Sequence, residues 1–231
     1  MNITFMPALV TSYAQGYNWR TTQVGRELVG LLEQRGIMLV SWMWQSGGMA
    51  SRTQPLIEPA DARGMKIRGG SREMDLMLKA AGGIISSVPS NEIYAAMQTG
   101  SLDAAVTSST SLISFRLEEI SKAITTGRTG SFWFMLEPLL MSKQIYDSLT
   151  PPQQKAVDEV GLELEPFALK AAKQDDDDLA QVYAKVGVTA QDMDAAAIGK
   201  WKVLAQATAW KDFADRNASC AALLKMAEAV A

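Results

Sequence analysis

Histidine is missing altogether from the 231 residues. Its absence removes the commonest general base and metal-ligating side chain, and with it serine–histidine–acid triads and most zinc sites. Cysteine occurs once, as Cys220, so no disulfide can form within the chain, and Cys220 reads as a small apolar helical residue. Excess charge is missing too: 22 basic against 25 acidic residues give −3. With no basic patch, neither nucleic acid nor an anionic membrane surface is an expected partner. No apolar run approaches the ~20 residues that span a bilayer, so no direct membrane insertion is expected. Met1–Pro7 has neither the basic start nor the apolar middle of an export signal. There is no phosphate-binding GxxxxGK[ST] run, no dinucleotide fingerprint, no internal repeat and no low-complexity linker. An enzyme, a cofactor and a bound metal are therefore all disfavoured, and holding a ligand is favoured over reacting with it.

What is present is organised around Asp61–Ser109. Met65–Arg68 is a short apolar run stopped by Gly69-Gly70, where the backbone can turn sharply. Ser71 stands at an N-cap position, and Met74, Met77, Leu78 and Ala81 recur at helical spacing up to Gly82-Gly83. Ile84–Val88 reads as a second strand, Glu92–Thr99 as a helix closed by Gly100, and Leu102–Val106 as a third strand running into Thr107–Ser111. Strands separated by single helices imply parallel pairing with right-handed crossovers. Ligands of such sheets sit beyond the carboxyl ends of the strands. Those ends bring Arg68, Ser71, Ser90, Thr107 and Ser108 to one rim, a set suited to a small anion because an arginine holds a carboxylate through two parallel bonds. The same residues also fit a surface salt bridge and helix caps, so spacing leaves both readings open.

The run Gln54–Asp103, with Pro55, Asp61, Gly64, Lys66-Ile67-Arg68, Glu92-Ile93-Tyr94, Ala96–Gly100 and Leu102-Asp103, resembles the solute-binding proteins of tripartite ATP-independent periplasmic (TRAP) transporters, DctP type. The resemblance implies an α/β, two-lobed periplasmic-binding-protein-like fold with a mostly parallel sheet in each lobe and a long bracing helix. It also implies a periplasmic location, a small carboxylate ligand paired with Arg68 as the lobes close, and TRAP permease subunits as partners. Where many members carry a second arginine in a Gly-x-Arg turn, this chain has Gly48, with Arg52 nearby; Ala104 and Thr107 replace a family glycine and asparagine. Members carry an export signal and further elements upstream of the equivalent of Met1, so the resemblance implies a first lobe that is N-terminally incomplete. The expected lobes are residues 1–45 with 133–172, and 46–132 with 173–231. A ligand-sensing regulatory module of related fold, or a fragment that binds nothing, are the alternatives.

Elsewhere, Met1–Leu9 reads as a stub of strand and loop, and Val24, Leu28, Leu31 and Leu32 form the apolar face of a helix ending at Gly36. Ile37–Trp44 reads as a buried strand followed by a loop and first hinge at Gln45–Gly48. Trp44 and Trp133, beside the two expected crossings between lobes, are candidate apolar walls of a cleft. Leu112–Ile120 reads as a helix, and Arg128–Ser131 as the second crossing. Glu137 lies in so apolar a setting that it needs a partner if buried. Thr150-Pro151-Pro152-Gln153 is a strong helix start, with helical pattern running to Lys185 and a kink expected at Pro166. Asp175–Asp178 fan around that helix and read as a solvated face, not a calcium site.

Overall fold

The computed structural model describes residues 2–230; Met1 and Ala231, the outer ends of the two expected lobes, lie outside the described residues. A 3-10 turn at Asn2–Phe5, where a strand stub was expected, leads into α1 (Tyr13–Asn18) and α2 (Gln23–Glu33). Strand β1 (Ile37–Ser41) is followed by β2 (Trp44–Ser51) and β3 (Lys66–Arg68), then α3 (Arg72–Ala80) and β4 (Ile84–Ile85). Next come α4 (Ile93–Gln98), β5 (Ala104–Ser108), α5 (Ser109–Ser114), β6 (Ala123–Ile124), β7 (Phe134–Leu136) and β8 (Leu139–Ser142). The chain ends in helices: α6 (Lys143–Ser148), α7 (Pro151–Lys185), α8 (Ala195–Ala205), α9 (Lys211–Asp215) and α10 (Ala218–Glu228), with a π-helical turn at Gln206–Trp210. Among the described residues no helix is long and apolar enough to cross a membrane.

The central unit forms as its spacing predicts. The Ser71 hydroxyl accepts from the Met74 N–H at 3.1 Å and starts α3, and Gly82, at φ +92°, ends the turn that follows it. β3 lies between β4 and β5 and is parallel to both. The sheet order is β4-β3-β5-β2-β6, with β7 also on β2. Between the strands, parallel pairing is confined to this unit: β2 meets β5, β6 and β7 antiparallel, and β1 meets β8 antiparallel in a separate two-stranded sheet, while one isolated parallel bridge joins Ile124 to Ala190. The α/β class stands, but the sheets are mixed, because β2 enters from the other half of the molecule and runs against its neighbours.

Gln45–Gly48 is strand, not the loop expected from its glycines. Its N-terminal end pairs with β7 through Trp44–Ser46 and its remainder with β5 through Gly47–Ser51, so the backbone has partners throughout. The glycines serve close approach instead of turning: a Cβ at Gly47 would lie 2.3 Å from the Thr107 carbonyl oxygen, and one at Gly48 1.8 Å from that of Thr125. Ile37–Trp44 is likewise not one buried strand. It breaks after Ser41, and most of β1 is only half-buried. The helix expected at Leu112–Ile120 starts earlier, at Ser109, because Ser108 caps it, and it ends at Ser114.

The apolar core falls into two clusters. The larger holds Trp19, Trp44, Met49, Ile67, Met74, Phe132, Trp201 and Phe213; the smaller holds Ala50, Ile93, Met97, Leu102, Leu112, Leu179 and Tyr183. Helix α7 contributes Ala172 to the first and Leu179 and Tyr183 to the second, so it braces both. Its start is fixed by the Thr150 N–H donating to Gln153 Oε1 at 2.9 Å, and it continues through Pro166.

Candidate functional site

Arg68 ends β3, and its half-buried guanidinium is held in place by neutral acceptors. Nε donates to the Val88 carbonyl at 3.3 Å, Nη1 to the Val106 carbonyl at 3.1 Å and Nη2 to Ser90 Oγ at 2.9 Å. Val88 and Ser90 stand past the end of β4 and Val106 lies within β5, the strands on either side of β3. One N–H on Nη1 and one on Nη2 have no protein acceptor and remain available to a ligand. Burial lowers the Arg68 pKa and the charge of Asp75 partly opposes this, but no acid forms an ion pair with the guanidinium among the described residues. Gly70 makes room for it: the residue sits at φ +89°, and a Cβ there would lie 2.7 Å from Nη1.

Arg68, Ser71, Ser90, Thr107, Ser108 and Trp133 all line one cavity of about 170 Å³. That is below the ~300–1,000 Å³ of pockets for drug-sized ligands, so the space suits a small molecule. Two of the hydroxyls also cap helices: Ser71 caps α3, and Ser108 accepts from the Ser111 N–H at 3.3 Å and donates to Ser111 Oγ at 2.9 Å. Thr107 is different. Its side chain is buried and makes no hydrogen bond within the protein. Arg68 also borders a wider groove of about 650 Å³ on the flank of α3 and β4, with Arg72, Asp75 and Lys79. The smaller cavity is the better candidate, because Arg68 shares that space with an unpartnered hydroxyl and an aromatic wall.

Trp44 does not reach this cavity. It is 1 % exposed, edge-on to Trp19 at 5.3 Å between ring centroids, and lies so close to Gly16 that a Cβ there would be 2.7 Å from its ring. It is a core residue. Arg52 is not a second ligand arginine either, since it lies at the far end of β2 against Gly100.

Sequence reasoning passed over Phe5, Met74, Ser111, Met135 and Glu137, which also line the cavity. The alternation Trp133, Met135, Glu137 along an extended segment was a usable signal for the last two. Glu137 is exposed, its carboxylate has no protein partner, and the crowding around it pushes its pKa up.

Asp176 is the largest departure from expectation. It is 1 % exposed, not part of a solvated face, and accepts from Tyr13 Oη at 2.9 Å, from Ser109 Oγ at 2.5 Å and from the Ser46 hydroxyl. One carboxylate of α7 therefore joins α1, β2 and the start of α5, the residue after Ser108. Four successive aspartates must point four ways around a helix, and here one way is inward. Among the described residues no group of three or more histidine, cysteine, aspartate or glutamate side chains is placed to hold a metal ion.

The profile of the bacterial extracellular solute-binding protein family 7, DctP, matches residues 1–217. A solute-binding protein of Albidiferax ferrireducens is 58% identical over 228 residues, 99% of this chain and 68% of that protein. The C4-dicarboxylate-binding periplasmic protein DctP of Rhodobacter capsulatus is 23% identical over 186 residues, 80% of this chain and 55% of its own length. Among solved structures, a TRAP periplasmic solute-binding protein from Rhodoferax ferrireducens with bound malonate superposes with a TM-score of 0.93 at 58% identity. That match covers 98% of this chain and 72% of the other. With the two-lobed α/β fold and the profile match agreeing across almost the whole chain, this protein belongs to the DctP family of bacterial extracellular solute-binding proteins.

Proposed function

We propose that the chain works in the periplasm as the receptor of a TRAP-type transporter, capturing a small organic acid whose carboxylate is held end-on by Arg68. The lobes that close on the ligand are residues 1–45 with 133–172 and residues 46–132 with 173–231, and TRAP permease subunits read the closed form. Ser90 aims the guanidinium, the Thr107 hydroxyl donates to or accepts from the ligand, Ser71 and Ser108 border it, and Trp133 forms the apolar wall. The observation that carries this reading is a half-buried arginine in the lining of a small cavity, with an N–H on each terminal nitrogen left without a protein acceptor and no ion-paired acid. The 58%-identical relative solved with bound malonate supports a carboxylate ligand.

Calorimetric titration with malonate is the test. Arg68→Ala abolishes binding, and Arg68→Lys, which keeps the charge but loses the planar fork, weakens it at least tenfold. Equal affinity of wild type and Arg68→Ala would remove Arg68 from the site.

A further inference from the structure

Trp133, Met135 and Glu137 alternate along the extended segment around β7. All three line the cavity that Arg68 borders from the end of β3. One wall therefore carries a guanidinium and the other a carboxylate. The main chain of Glu137 is fixed, its N–H donating to the Met43 carbonyl at 2.7 Å, while no protein group engages its side chain. Glu137 is open to solvent without a ligand, so the cost of an unmet donor arises when a ligand displaces that water. Crowding by the surrounding protein already raises its pKa.

The consequence for a ligand is directional. Once one carboxylate sits on Arg68, whatever lies at the ligand's other end faces Glu137 in a space from which closure removes solvent. A second carboxylate there repels Glu137 at short range, whereas a hydroxyl or ammonium supplies the donor it lacks.

Resting on the reading of Arg68 as the carboxylate holder, we propose that Glu137 determines ligand class: a monocarboxylate with a hydroxyl or ammonium at its remote end is taken in preference to a dicarboxylate dianion. Repulsion of the wrong ligand contributes as much to this choice as attraction of the right one.

Three ligands of equal carbon count test it by calorimetry at neutral pH: malonate, β-hydroxypropanoate and β-alanine. Wild type binds at least one of the latter two tenfold or more tighter than malonate. Glu137→Gln raises malonate affinity at least tenfold relative to both, while Glu137→Asp, which keeps the charge, retains the wild-type preference. A wild type that prefers malonate, or a Glu137→Gln variant that shifts all three by one common factor, overturns the inference. Arg68→Ala, run alongside, separates the two claims. If it loses all three ligands while Glu137→Gln changes no ratio, only the role of Glu137 falls; if it binds all three as wild type does, the carboxylate reading falls and this inference with it. Failure of wild type to bind any of the three at millimolar concentration overturns both.

Discussion

In the role proposed for it, Arg68 serves a ligand because its other bonds are already made. An arginine free in solution has many rotamers to lose on binding, and here two carbonyls and the Ser90 hydroxyl have fixed it in advance. Ser90→Ala removes the acceptor on Nη2 and leaves the cavity otherwise intact. A hydrogen bond to a charged group contributes about 1.5–3 kcal/mol, so affinity for a carboxylate ligand falls about tenfold or more while the melting temperature of the free protein changes little. Calorimetry and thermal melts check the two halves of that statement. Asp176 is the second decisive residue. Burial raises its pKa above the ordinary 3.8 despite three hydroxyl donors. A carboxyl whose folded-state value lies above its unfolded one stabilises the fold fully below the unfolded value and loses that contribution as pH rises through the folded one. Glu165, Glu137 and Asp75 are shifted the same way. Wild type therefore gains stability as neutral solution is acidified into the range of these raised values. In Asp176→Asn, which cannot ionise, that gain is smaller, as urea unfolding at neutral and mildly acidic pH reports. Residue by residue, the rim was legible because cap serines and strand-end arginines are local signals. Asp176 was not, because its partners Tyr13, Ser46 and Ser109 are remote in sequence and only the fold brings them to it.

Among the elements, β2 makes the closest backbone contacts. It crosses from β7 to β5, and the return segment runs beside it: Ser131 Oγ donates to the Gly47 carbonyl at 2.9 Å, and the Gly47 N–H donates to the Trp133 carbonyl at 3.1 Å. A third glycine completes the contact, since a Cβ at Gly127 would fall 2.1 Å from Ser46 Oγ. Gly47→Ala forces a methyl between the Thr107 carbonyl and the Trp133 ring, two groups that also border the cavity. Overpacking of this kind costs about 1–3 kcal/mol. Both stability and affinity then fall, a combination that a change remote from the crossing would not produce; denaturant unfolding together with ligand titration reads it out. The long helix was legible from its capping residues, and the parallel unit from strand–helix–strand spacing. The crossing strand was misread because Gly-Gly carries the same local signature whether it turns the chain or lets two backbones touch, and only the neighbours distinguish the cases.

At the scale of the molecule, two crossings and one helix connect everything. β2 and α7 meet at Asp176, with Gly127 beside it and Ser131 bonded to Gly47, so the closure proposed above would turn about contacts that the structure clusters in one place. The cavity lies close to this axis: Ser108 precedes Ser109, and Trp133 packs on Gly47. On the proposed reading, a ligand bridging Arg68 and the β7 wall pulls the halves together, and its binding energy sets how far the population shifts. A compact chain of this length has a radius of gyration of about 17 Å. Small-angle scattering at saturating carboxylate should show a decrease from the ligand-free value, with no decrease in Arg68→Ala under the same conditions. Tyr13→Phe, which removes one donor to Asp176 from α1 while leaving every cavity residue in place, should alter the ligand-free radius of gyration without removing binding. An unchanged radius in wild type at ligand concentrations where calorimetry reports saturation would mean that the cavity fills without closure, and the hinge role given to β2 and α7 would be wrong.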